Sequence, residues 1–206
     1  TAQWTGFIRP CRDEDMLKLY PKFGMRREDA RGFKTEIIRV TDPHAKIDVR
    51  EFMNPGQLTV ILIDRFRLAD LDTFVRNTIQ SIFDIPWPES KDLKLFIVYD
   101  EVHRLLPKFG GSGEGFVQIE RGCREIRKWG IGILLVSQVL ADFVGQIKAN
   151  INTEIQMRTR DEGDLNRIAT KYGEEVLRSL VKASVGTGMV QNASYNRGRP
   201  FFVTFR

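Results

Sequence analysis

Asp100 and Glu101 stand side by side at the end of the apolar run Leu95-Phe96-Ile97-Val98-Tyr99. Such a run reads as a buried strand, which would carry both carboxylates to its C-terminal end. Phosphoryl transfer asks for a pair of this kind. One carboxylate holds Mg²⁺ through water, and the second positions or deprotonates the attacking water. A plainer reading stays open, in which Asp100 caps a helix that begins near Val102.

The elements around that pair follow from hydrophobic spacing. A second apolar run, residues 131–136, predicts another buried strand and ends in Ser137-Gln138. Ahead of it lies a helix over 116–129, with Phe116, Ile119, Cys123 and Ile126 as its core-facing stripe and Gly130 closing it. At roughly 100° per residue, Arg121 and Lys128 point away from the stripe and Arg127 sits at its margin. A local ion pair to Glu120 or Glu125 is the simplest use for Arg127.

Upstream, the first fifty residues hold a helical piece at 13–20, a charged stretch at 25–32 and a short strand at 36–40. An Asn54-Pro55-Gly56 turn then leads into a strand at 58–64 and a helix over 68–83, whose inner face carries Leu68, Leu71, Phe74, Val75, Ile79 and Ile82. Downstream come a strand at 153–159, an N-cap around Asp161, and a helix with Leu165, Ile168 and Tyr172 inward. Gly173 breaks that helix, and a second one carries Val176, Leu177, Leu180 and Val181. Two closing strands, 189–192 and 200–205, flank a polar loop at 193–199. Strands alternating with amphipathic helices argue an α/β fold with a mainly parallel sheet covered on both faces.

Composition narrows the class. A chain of 206 residues with 42% hydrophobic content buries a sizeable core, so disorder and a disulfide-stapled mini-protein are excluded. Cys11 and Cys123 suit neither a disulfide framework nor a metal site, and free thiols in a reducing, cytoplasmic compartment are expected. No apolar run approaches the length of a membrane span. The formal charge of +5 decides little about nucleic acid. Arg121, Arg124, Arg127 and Lys128 crowd one helix, and Arg26, Arg27 and Arg31 another stretch; solvated faces look the same. His44 and His103 lie apart from other ligand types and are assigned to neither metal nor catalysis.

In order along the chain, the Asp100-Glu101 strand, RKWGIGILLVSQ at 127–138, IKANINTEI at 147–155 and SVGTGMV at 184–190 resemble the C-terminal half of a HerA/FtsK-type motor ATPase. That P-loop superfamily also holds the type IV secretion and conjugation ATPases. The likeness runs over about residues 50–206, and NPGQLTVILID at 54–64 draws it toward the HerA and secretion-ATPase side. It implies a RecA-like core that uses ATP and Mg²⁺, a homo-oligomeric ring expected to be a hexamer, and DNA as the translocated partner. Asp100 would help hold Mg²⁺, Glu101 would polarise the attacking water, and Gln138 would sense the γ-phosphate. Arg127, in the block that matches the family's RKxG, would be the finger reaching into a neighbouring subunit, with Arg158 and Arg160 as rivals. Residues 1–50 read as a connecting segment and 51–206 as the C-terminal part of the core.

No G-x-x-x-x-G-K-[ST] occurs in the chain. Gly110-Gly111-Ser112-Gly113-Glu114-Gly115 follows a short helix and has no Lys-Ser/Thr, so it reads as a flexible loop. The opening TAQWTGF resembles the stretch just after the second strand of these ATPases. The expectation is a fragment lacking the Walker A strand and loop, inactive alone, whose parent is an ATPase. In the family's sheet order the missing strand lies between the strand ending at Gln138 and that at 153–159, so those two are not expected to pair. A non-catalytic binding or assembly module with the same fold, or a protein-secretion ATPase, remains the alternative.

Overall fold

The computed structural model describes residues 34–106, 112–138 and 147–205. The helical piece at 13–20, the charged stretch at 25–32, Cys11 and Gly110-Gly111 lie outside the described residues. The chain forms two compact units, Thr1–Ser137 and Gln138–Arg206. Among the described residues no helix is long and apolar enough to cross a membrane.

In the first unit, β1 (Lys34–Arg39) and β2 (Gln57–Leu62) pair in parallel, with Lys34 opposite Gln57 and Arg39 opposite Leu62. The Asn54-Pro55-Gly56 turn ends the crossover as predicted: Gln57 N–H donates to Asn54 O at 3.1 Å, and Gly56 takes the left-handed φ of 73°. Helix α1 (Leu68–Asp84) buries Leu71, Phe74, Val75, Ile79 and Ile82, the spacing of one helical face. It packs on α2 (Glu114–Glu125), which a 3₁₀ turn, Ile126–Trp129, extends. The contact is close because Gly122 faces it. A Cβ there would stand 3.7 Å from Ile79 Cδ1 of α1 and 3.2 Å from Ile133 Cδ1 of the strand that follows.

That strand, β4 (Ile131–Leu135), runs parallel to β3 (Leu95–Tyr99), Leu95 opposite Ile131 and Tyr99 opposite Leu135. β3 is not the buried strand its composition suggests: Phe96 is 53% and Val98 46% exposed, and Leu134 on β4 is also exposed. The alternation is that of a sheet packed on one face, with Leu95, Ile97 and Tyr99 turned the other way. Gly130, with φ 76°, turns the chain into β4 where a Cβ would meet Asp92 O at 2.2 Å.

The second unit begins with a helical turn, α3 (Ile147–Asn150), and β5 (Thr153–Met157). Helices α4 (Glu162–Tyr172) and α5 (Glu174–Val181) and strands β6 (Thr187–Asn192) and β7 (Phe201–Thr204) complete it. Asp161 caps α4 by accepting from Asp164 N–H at 2.9 Å. Ile168, Leu180 and Met189 form the core, with Tyr172, Val176 and Leu177 packed against it. Val181, also on α5, is 47% exposed. Leu180 already fills the centre of that short helix's face, and the next residue is turned about 100° away.

The three strands of this unit order β5-β6-β7 and are all antiparallel, so the single, mainly parallel sheet expected from the sequence is not what the described residues form. The reason at β6–β7 is local: a hairpin as short as residues 193–200 joins only antiparallel strands. The fold is α/β with two small parallel pairs and one antiparallel sheet. β4 takes β3 as its ladder partner and β5 takes β6.

Candidate functional site

The C-terminal end of the β3–β4 pair is zipped by two backbone bonds, Val136 N–H to Tyr99 O at 2.9 Å and Val102 N–H to Val136 O at 3.0 Å. Asp100 and Glu101 occupy the two-residue bulge between them. To make that turn, Glu101 adopts φ 52° and ψ 37°, a left-handed conformation that is uncommon for a residue with a side chain. A 3₁₀ turn follows, Val102–Leu105, in place of the expected helix. Glu101 has no side-chain capping bond there, and Asp100 spends one oxygen locally, Oδ1 accepting from Glu101 N–H at 3.0 Å.

Asp100 Oδ2 is buried and has no hydrogen-bond partner. Burial pushes this carboxyl's pKa up; the Glu101 N–H and His103 pull the other way, and the Glu101 charge adds to the rise. A buried carboxylate oxygen whose lone pairs accept no hydrogen bond is a hard donor of the kind Mg²⁺ takes, and a dication beside it would reverse the rise in pKa. Glu101 Oε2 lies 3.4 Å from His103 Nε2, an imidazole only 14% exposed. His103, assigned from the sequence to neither metal nor catalysis, makes this contact within its own turn. Among the described residues no cluster of three or more His, Cys, Asp or Glu could hold a metal by protein ligands alone. The donor set fits an ion bound by one carboxylate, waters and phosphate oxygens.

Ser137, half-buried, follows β4 at the same end of the pair; Gln138, exposed, is the first residue of the second unit. Arg127 is elsewhere. It sits in the 3₁₀ turn that feeds the N-terminal end of β4, so a strand of five residues, roughly 15 Å, separates it from the acid pair. It is exposed, not held at the margin of the helical stripe, and it opens onto a shallow depression shared with Glu89, Ser90, Lys91 and Lys128. Its neighbours are used locally. Arg121 and Arg124 each approach Glu125 at 3.5 Å, Arg121 also covers the Phe83 ring at 3.9 Å, and Lys128 lies over Trp129. Arg158 and Arg160 are likewise exposed, in the second unit.

Two constellations escaped sequence reasoning. Asp72, buried on α1, accepts from Ser112 Oγ and from Gly115 N–H at 2.8 Å, capping α2 from another helix. Gly115 is required there, since a Cβ would come within 2.7 Å of Asp72 Oδ1. Of the Gly-rich stretch, Ser112 and Gly113 lead into α2 as loop, and Glu114 and Gly115 form its first turn. In the second unit, Glu154 on β5 binds Arg167 and Lys171 of α4. The cations were visible in the sequence; their common partner, on another element, was not.

The comparisons agree with this architecture. No family model and no curated protein matches the sequence. Among solved structures, the chain shares its fold with a VirB4 protein and with viral genome-packaging NTPases. VirB4 of Thermoanaerobacter pseudethanolicus superposes with a TM-score of 0.57 at 15% identity, over 74% of this chain and 42% of that one. B204, the DNA-packaging ATPase of Sulfolobus turreted icosahedral virus, gives 0.53 at 11% identity, over 100% of this chain and 93% of that one. Its counterpart from Sulfolobus turreted icosahedral virus 2, in complex with AMPPCP, gives 0.52 at 11% identity and the same coverage. The chain spans less than half the length of VirB4.

Proposed function

We propose that this chain is the part of a ring-forming, ATP-hydrolysing DNA motor that carries the acid pair and the glutamine sensor of a RecA-like core. In this reading Asp100 holds Mg²⁺, Glu101 orients the attacking water and Gln138 reads the γ-phosphate. The observation that carries the reading is the bulge at the end of β3. It buries Asp100 Oδ2 without a partner and holds Glu101 in a left-handed conformation, two unfavourable choices at adjacent positions. The resemblance to a DNA-packaging ATPase supports DNA as the substrate, and the resemblance to VirB4 supports protein secretion as the second reading. A non-catalytic assembly module gives no account of the bulge.

The test is Glu101→Gln in a form of the protein that carries the phosphate-binding loop. Nucleotide binding should persist while turnover drops by roughly 10²- to 10⁴-fold, the scale for losing a general base. Near-normal turnover would remove Glu101 from the mechanism. DNA-stimulated hydrolysis in the unmodified protein would separate the DNA motor from the secretion reading.

A further inference from the structure

The second unit holds a cleft of about 190 Å³ lined by Lys148, Ile151, Glu154, Arg167, Lys171 and Gln191. Three cations face it against a single carboxylate. Glu154 is engaged on both oxygens: Oε1 accepts from Arg167 Nη2 at 2.7 Å, and Oε2 from Lys171 Nζ at 3.2 Å and the Tyr172 hydroxyl at 3.0 Å. Arg167 Nη2 also donates to Gln156 Oε1 at 3.1 Å, which fixes the guanidinium plane. Its Nε is buried and has no partner. Lys148, exposed at the other side of the cleft, neutralises nothing described. A network built only to hold α4 against β5 would need one cation per carboxylate and no cleft. This one has surplus positive charge and a fixed guanidinium.

We infer that this cleft is a phosphate-binding site, with Arg167 as the fixed donor, Lys148 and Lys171 as the mobile charges, and Glu154 as the group that holds the arginine in place. Fixed Arg donors with flexible Lys charges suit the phosphate group, whether it belongs to a nucleic-acid backbone or to a free nucleotide. Glu154 would repel an anion placed directly on it, which confines the phosphate to the side of Lys148. The inference does not rest on the acid pair, and its test reads binding and not hydrolysis.

The test titrates the chain with a labelled 20-nucleotide DNA, in single- and double-stranded form, and separately with inorganic pyrophosphate. If the source is nucleic acid, Lys148→Ala should weaken DNA binding about fivefold and lower the slope of log K against log salt by roughly one, leaving pyrophosphate unaffected. If the source is a free phosphate compound, pyrophosphate affinity should fall instead. Arg167→Lys keeps the charge but loses the fork, and should weaken the same ligand. In the unmodified chain, the Arg167 Nε–H resonance should shift when that ligand is added. A resonance that does not move, or equal affinities for the unmodified chain and Lys148→Ala with both ligands, would overturn the site.

Discussion

Asp100 Oδ2 is buried against no donor, and burial raises the carboxyl's pKa in the folded chain. The native state therefore keeps this proton at pH values where the unfolded chain has released it. Stability consequently falls as pH rises through that window. At neutral pH the ionised group weakens the fold, and Asp100→Asn should raise the melting temperature of the Mg²⁺-free protein at pH 7 while changing little below pH 4. A lower melting temperature at pH 7 would mean that the ionised oxygen is satisfied. Glu101 carries a cost of its own in its backbone, about 1–2 kcal/mol for a left-handed residue with a Cβ. Adjacent residues that each weaken the fold are what an acid pair kept for chemistry looks like.

Elements in this chain are tied together by polar contacts across long sequence separations, and Asp72 is the clearest. Asp72→Ala would leave Gly115 N–H without its acceptor at a buried helix start, and should cost about 2 kcal/mol in urea unfolding. Wild-type stability in that variant would show that water replaces the cap. In the second unit, Glu154 is pushed up by burial, but Arg167, Lys171 and the Tyr172 hydroxyl outweigh it and leave its pKa below the usual value of 4.5. With the folded pKa depressed, the unfolded state binds the proton first on acidification. The stabilisation is complete above pH 4.5 and is lost as pH falls through the lower folded value. Glu154→Gln should flatten that acid limb; an unchanged limb would locate acid sensitivity elsewhere.

The same contrast explains what the sequence made legible. The face of α1 was readable because Leu71, Phe74, Val75, Ile79 and Ile82 repeat at helical spacing, and the turn at Asn54-Pro55-Gly56 because its residue types demand it. The acid pair was readable from its place at the end of an apolar run. Asp72 was not, since a carboxylate inside an apolar stripe breaks the pattern and its partner Gly115 is 43 residues away. Strand partners were not either. Apolar runs predict strands, but which edge meets which depends on long-range pairing, so the three separate sheets could not be foreseen from periodicity.

At the scale of the whole molecule, the position of Arg127 matters more than its type. In the first unit it is exposed at the N-terminal end of β4, while Asp100 and Glu101 stand past the C-terminal end of β3, its parallel partner. Two ends of a strand pair roughly 15 Å apart do not share one phosphoryl group. If Arg127 takes part in hydrolysis, it must therefore act on another subunit's site. In a form carrying the phosphate-binding loop, Arg127→Ala should preserve folding and nucleotide binding and reduce hydrolysis by roughly 10³-fold or more, the scale of an arginine finger. Mixing it with Glu101→Gln subunits should then restore part of the activity, because some interfaces in a mixed ring join an intact Arg127 to an intact Glu101. Subunits that demonstrably exchange yet recover nothing would exclude the trans role and leave Arg127 as a solvated charge beside Lys128.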